Sequence, residues 1–264
     1  MTSPAPSKFL ALAAPRSINC RSADRPVALV TGAAKRVGAA ISRRLHSLGY
    51  DLAIHYHSSA EVAADLCREL NRIRPDSSFI IQQDLSRPRA HDTLLRKFTR
   101  RSSRLDALIN NASIFEETPL ASPDTALWDE MHAINSRLPY FLSLAGAPML
   151  SASEGVIINL LDIHHDRPRQ DYAVYCASKS ALASLTRSLA LELAPAVRVN
   201  GVSPGAILWA DSEPDKLRRS ALRSTPLKRC GEPEDIAQAV EYLCAARYVT
   251  GQIINVDGGR SLNM

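Results

Sequence analysis

The stretch LVTGAAKRVGAA, residues 29–40, joins a short apolar run to a glycine turn and then to a helix-like run. Gly32 permits a tight turn, and Gly38 lets the start of the helix pack close against the strand. A helix that begins there offers free amides and the positive end of its dipole to a phosphate. The pattern therefore reads as a nucleotide-binding turn between a first strand and a first helix. Arg36 stands where a third small residue is expected, and Val37 follows it.

The next strand, DLAIHY at 51–56, bears on which nucleotide. An NAD site places Asp or Glu at such a strand end, roughly 20 residues after the glycines, to hold the ribose hydroxyls. Here that place reads His55, Tyr56, His57, Ser58, Ser59, and Asp51 comes too early. No carboxylate is present to repel a 2′-phosphate. Arg36 and Lys35 supply positive charge, while His55, His57 and Ser58 supply hydrogen bonds. The expected cofactor is NADPH. For any single histidine, a polar loop is an equal reading.

From residue 26 onward, apolar strand-like runs alternate with helix-like runs, seven strands in all. Repeated βαβ units imply a doubly wound parallel sheet with helices on both faces, a single Rossmann-type domain over 26–264. Ligands of such sheets bind beyond the carboxyl ends of the strands. Asp84 and Leu85 follow the third strand, where an adenine edge would lie. INNAS, Ile109 to Ser113, ends the fourth strand, and Asn111, Ala112 and Ser113 suit close backbone approach to a cofactor. The stretch SPDTALWDEMHAINSRLPYFLSLAGAPML predicts a long helix interrupted near Pro139. Segment 207–230 lacks a clean period and is expected to be a mobile flap, with Leu208 and Trp209 in the outer pocket. Residues 1–25 are expected to form a disordered tail.

Composition excludes several classes. Hydrophobic residues make up 45 % of 264 and aromatics only 5 %, which suits helices on a parallel sheet better than a β-sandwich. The net charge is +5, yet Lys8, Arg16, Arg21 and Arg25 against Asp24 place +3 of it in the tail. The body carries no nucleic-acid footprint. No apolar run approaches the roughly 20 residues that span a membrane. Five cysteines without a CxxC pair argue against a disulfide framework or zinc site and fit a reducing, cytoplasmic compartment. No metal site is expected, and His164–His165 reads as loop.

Tyr175 and Lys179 are four apart on a predicted helix and share a face. A nearby ammonium stabilises a phenolate, which would make the tyrosine a usable acid and base near neutral pH. Tyr172, whose i+4 neighbour is Cys176, has no lysine partner and is expected to line the pocket.

The TGxxxxxG turn, NNA, Asn135 in AINS, YxxxK and SPG after the sixth strand resemble the short-chain dehydrogenase/reductase family over about residues 26–260. The resemblance implies that Asn135, Tyr175 and Lys179 are catalytic, and that Pro204, Gly205 and Ala206 border the cofactor. The family's serine is replaced by Asp162, thirteen residues before Tyr175. The arginine in TGAAKRVG, the HYHSS strand end, NNASIF and the Asp–Tyr–Lys set with YAVYCASK resemble the pteridine reductase subfamily. That implies reduction of oxidised or dihydro pterins, with dihydrofolate and dihydromonapterin as further candidates. It implies that Asp162 and Tyr175 handle the proton, Phe115 stacks on the pterin, and Ser113 lies beside it. It also implies a homotetramer. A carbonyl or 3-oxoacyl-thioester reductase is the alternative within the fold, and a non-catalytic NADP(H)-sensing protein the alternative outside enzymes.

Overall fold

A computed structural model describes residues 25–208 and 215–263. Trp209 and all of the expected tail except Arg25 lie outside the described residues. The strands are β1 (Val27–Val30), β2 (Asp51–Tyr56), β3 (Ser78–Gln82), β4 (Ala107–Asn110), β5 (Val156–Leu160), β6 (Arg198–Pro204) and β7 (Ile253–Val256). They form one sheet in the order β3-β2-β1-β4-β5-β6-β7, and every pairing is parallel. This is the doubly wound Rossmann-type arrangement the alternation predicts.

Each central strand is apolar on both sides because helices cover both faces. Ala28 and Val30 pack with Ile41 and Leu45 of α1 (Arg36–Ser47), Leu66 and Leu70 of α2 (Ala60–Ile73), and Val240 and Leu243 of α8 (Pro233–Ala245). Val27 and Leu29 face the opposite way. They pack with Leu94 and Phe98 of α3 (Ala90–Thr99), Leu142 of α5 (Leu138–Ala152) and Leu189 of α6 (Ala173–Glu192). Period-two alternation along one strand thus feeds two cores.

The interrupted helix predicted around Pro139 has a definite form. Helix α4 (Thr125–His132) runs into a π turn, Ala133–Arg137, and then into α5. The Leu138 N–H bonds the carbonyl of Ala133, five residues back, and so absorbs one extra residue. Pro139 has no N–H, so the Asn135 carbonyl loses its ordinary helical donor. The segment 207–230 is not structureless throughout, since α7 (Asp215–Ser224) lies within it. Its polar sequence hides a helix whose period is set by few apolar residues.

A buried polar ladder fixes the strands behind the site. Asn110 Nδ2 donates to Asn159 Oδ1 at 2.8 Å, and Asn159 Nδ2 donates to Thr186 Oγ1 at 2.9 Å. It ties β4, β5 and α6 together.

Gly38 is where the first helix meets the turn. A Cβ there would sit 2.3 Å from the Gly32 carbonyl oxygen and 2.9 Å from Ala33 Cα. Both are backbone atoms, so Gly38→Ala must push the helix away from the turn. We expect a loss of at least about 2 kcal/mol, as for an overpacked core, measured by urea unfolding. An unchanged midpoint would show that the helix start tolerates displacement.

Candidate active site

The site grows from the carboxyl ends of β1, β2, β4 and β5. At β1, Thr31 Oγ1 accepts from the amides of Asn111 (2.9 Å) and Ala112 (3.0 Å). Asn111 Nδ2 returns bonds to the carbonyls of Thr31 (2.9 Å) and Gly32 (3.0 Å). Thr31 is therefore a site residue that the glycine spacing alone does not single out, although the TG pair carries it. Asn111 holds the turn in place through its side chain.

His55 does not serve the nucleotide as the sequence suggests. It is 1 % exposed, beneath the turn. Its Nε2 lies 3.0 Å from the Gln83 carbonyl, which can only accept, so Nε2 carries the proton. Nδ1 then accepts from the Gly32 amide at 3.0 Å. Both ring nitrogens are spent on the fold, and burial pushes the imidazole pKa down to about 4. A histidine at a strand's last inward position goes under the sheet edge rather than out to a ligand.

The first turn of α1 is open to an anion. Its N-cap, Lys35, makes no side-chain capping bond, and the first turn holds no acidic residue. Arg36 adopts φ +55°. For a residue with a Cβ this left-handed geometry costs about 1–2 kcal/mol, and glycine would adopt it freely. Val37 packs at the rim of the core. At the end of β2, His57 and Ser58 remain exposed while Tyr56 is half-buried. Asp84 spends its carboxylate on its own turn, accepting from Ser86 N (3.0 Å), Ser86 Oγ (2.7 Å) and Arg87 Nε (2.9 Å). Leu85 is buried in the core. Gly205 is required by β7, since a Cβ there would lie 2.6 Å from Asp257 Cβ. Pro204 ends β6, and the Ala206 carbonyl accepts from Gly231 N at 2.9 Å.

The reacting group is compact. Asp162 follows β5, and its Oδ1 accepts from His164 N at 2.9 Å. Its Oδ2 accepts from the Tyr175 hydroxyl at 3.0 Å. Burial and the Asp162 charge raise the Tyr175 pKa well above 10. This corrects the expectation that Lys179 lowers it, because the carboxylate is the charge that bonds the phenol. Lys179 is 2 % exposed and donates to the Leu160 carbonyl at 2.9 Å. Its Nζ lies 5.8 Å from the Tyr175 ring centre. Burial pushes its pKa down to about 8, with Asp162 opposing.

Asn135 acts at one remove. Its Oδ1 accepts from Ser113 Oγ (3.0 Å) and Ile114 N (2.9 Å). Its Nδ2 donates to the Ile114 carbonyl (2.9 Å) and Ser178 Oγ (3.0 Å). Every hydrogen-bonding position of the amide is filled, so this side chain positions rather than reacts. The π turn aims it at the loop after β4.

Phe115 is 42 % exposed, stacks on Tyr172 at 4.5 Å and lies T-shaped to Tyr175 at 4.6 Å. The Tyr172 hydroxyl donates to Glu117 Oε1 at 3.1 Å. Arg169, absent from the sequence expectations, lies 4.4 Å over the Tyr172 ring. Leu208 is exposed. Among the described residues no His, Cys, Asp and Glu cluster could hold a metal, and no helix is long and apolar enough to cross a membrane.

The chain is similar to known reductases. The family model described as enoyl-(acyl carrier protein) reductase matches residues 32–261. Pteridine reductase 1 of Leishmania tarentolae is 37 % identical, covering 91 % of this chain and 98 % of that protein. A 3-oxoacyl-(acyl-carrier-protein) reductase of Staphylococcus aureus is 34 % identical, covering 88 % of this chain and 96 % of that protein.

His55 makes the turn acid-sensitive. Its pKa is about 4 in the fold against 6.5 for a free imidazole. Below pH 6.5 the unfolded chain takes up a proton that the folded one refuses. Stability from this group is therefore full above pH 6.5 and falls toward pH 4, by as much as about 3 kcal/mol. In His55→Gln this part of the pH slope should vanish, read by urea unfolding at successive pH values. An identical slope in both proteins would assign the acid loss to other groups.

Proposed function

The chain belongs to the short-chain dehydrogenase/reductase family of oxidoreductases, and on that premise we propose that it is an NADPH-dependent reductase of dihydropterins. The observation that carries this reading is the 3.0 Å bond from the Tyr175 hydroxyl to Asp162, beside the exposed ring of Phe115. A ketone reductase needs a hydroxyl to orient its substrate oxygen. A pterin instead presents C=N bonds and ring N–H groups, which a carboxylate can accept from.

The residues fit the cofactor. The uncapped, acid-free first turn of α1 suits a pyrophosphate. The end of β2 lacks a carboxylate, and Arg36 is exposed beside the turn. The backbone strain at Arg36, kept where glycine would relieve it, supports a use for the side chain. NADPH, when bound, supplies the hydride. Phe115, 42 % exposed, offers its ring to the pterin. The high Tyr175 pKa keeps its phenol protonated at neutral pH, so it is a proton donor, and Asp162 holds that proton on the substrate side of the site. Lys179, charged below about pH 8, balances the carboxylate.

The acyl-thioester reading draws on the bacterial relative, and Asp162 in place of a hydroxyl counts against it. The intact Tyr175 and Lys179 count against a purely binding role. The proposed assembly is a homotetramer.

Loss of nicotinamide absorbance with dihydrobiopterin should exceed that with ketones or 3-oxoacyl thioesters; the reverse order would defeat the proposal. Asp162→Ser should lower kcat/KM for the dihydropterin by about 100-fold or more. It should also move the basic limb of the pH profile downward, because the charge that raises the Tyr175 pKa is gone. An unshifted limb would remove Asp162 from the proton path. Arg36→Gly should raise urea stability by about 1 kcal/mol while weakening NADPH binding much more than NADH binding. Equal losses would place cofactor choice elsewhere.

A further inference from the structure

The loop that carries Phe115 is fastened to the start of α6 by a ring stack, a side-chain bond and a backbone clasp. Phe115 stacks on Tyr172, with ring centres 4.5 Å apart and an interplanar angle of 13°. Glu117 Oε1 accepts from the Tyr172 hydroxyl at 3.1 Å. The Thr118 amide donates to the Asp171 carbonyl at 2.6 Å, and Thr118 Oγ1 accepts from the Val174 amide at 3.4 Å. The stack and the side-chain bond act on the same residue, Tyr172.

Tyr172 stands where an irregular loop becomes a helix. Its backbone (φ −126°, ψ 31°) is not yet helical, and Asp171 before it adopts φ +61°. Its side chain is buried against Met131, Tyr175 and Cys176. A buried phenol needs a partner for its hydroxyl, and Glu117 supplies one at the far end of the ring. Phe115 is exposed and has no polar side-chain atom, so its ring takes its orientation from Tyr172 and Tyr175. Tyr175 is held separately, by Asp162. The dependence that reaches Phe115 from outside the reacting group therefore runs from Glu117 through Tyr172.

We propose that Glu117 is a positioning residue for the substrate: by bonding the Tyr172 hydroxyl it sets the ring of Phe115 in the plane on which the dihydropterin stacks. This rests on the dihydropterin reading, and it adds a carboxylate that no motif of the sequence marks. A ring already held gives up little rotational freedom when a substrate stacks on it. The contribution falls on substrate binding, because Tyr175 and Lys179 take their bonds from Asp162 and the Leu160 carbonyl.

The test is steady-state kinetics of the full chain with NADPH and dihydrobiopterin. Glu117→Ala should raise the KM for dihydrobiopterin by about 3- to 10-fold, the worth of one hydrogen bond, with kcat within about twofold of the wild type. Tyr172→Phe keeps the ring and drops the hydroxyl, so it should match Glu117→Ala. The double variant should be no worse than either single one, since both remove the same bond. Glu117→Gln keeps an acceptor oxygen in place and should restore most of the wild-type KM. The NADPH dissociation constant, read by nicotinamide fluorescence, and the thermal midpoint should change little in Glu117→Ala, because Glu117 is exposed and Thr118 still clasps the loop to α6. An unchanged KM in Glu117→Ala overturns the role of Glu117 while the wild-type turnover leaves the dihydropterin reading standing. A lowered midpoint with kcat and NADPH affinity lost together makes Glu117 structural and overturns it too, as do additive losses in the double variant or a failure of Gln to rescue. No turnover of any dihydropterin by the wild type overturns the parent reading and this role with it.

Discussion

A continuous set of hydrogen bonds runs along the carboxyl edge of the sheet, and the site hangs from it. His55 of β2 accepts from Gly32, and Asn111 after β4 grips the same turn. Two residues on, Ser113 and Ile114 bond to Asn135 in the π turn. Asn135 reaches Ser178, whose hydroxyl bonds the Tyr175 carbonyl at 2.7 Å. Elements far apart in sequence are thereby fixed against one another without any charged pair. Neutral, buried bonds suit this task, because each unpaired member would carry a desolvation penalty. The glycine turn and Tyr175 are thereby held in one frame.

Within that frame, electrostatics divides the labour. Asp162 and Lys179 are opposite charges near one buried phenol. The carboxylate is bonded to the hydroxyl, whereas the ammonium is bonded to a backbone carbonyl. Burial first, and then the bonded carboxylate, keep the tyrosine protonated. A family pattern that pairs the same tyrosine with a serine would leave the ammonium as the dominant neighbour. One substitution at the end of β5 thus changes the acid–base character of a residue thirteen positions away.

The fold was legible because period-two runs and helical runs alternate with little noise, and parallel sheets demand that pattern. Local geometry was harder to read. The sequence marks Pro139 as an interruption, but it does not say that the helix continues through a π turn. The sequence misleads at His55 because its neighbours His57 and Ser58 face out, and a polar residue at a strand end is ambiguous by one pleat. The sequence marks Asn135 as a site residue, yet its four hydrogen bonds run to two segments far from it in the chain, the 113–114 loop and α6. Arg169 sits in a stretch with no periodicity, so no spacing could place it over the Tyr172 ring. Motifs record what a backbone turn requires; they do not record where long side chains converge.

The π turn has a consequence for how this chain can vary. It stores one surplus residue between two regular helices, so its length is part of its information. Deleting a single residue there would restore α-helical winding and rotate everything beyond by about 100°, the angle per residue of an α-helix. Asn135 would swing off the loop it holds, and α5 would present a different face to the core. Substitutions across 133–137 leave the count intact, but insertions and deletions do not. This stretch is therefore a ruler, whose number of residues is as fixed as the identity of Asn135 within it.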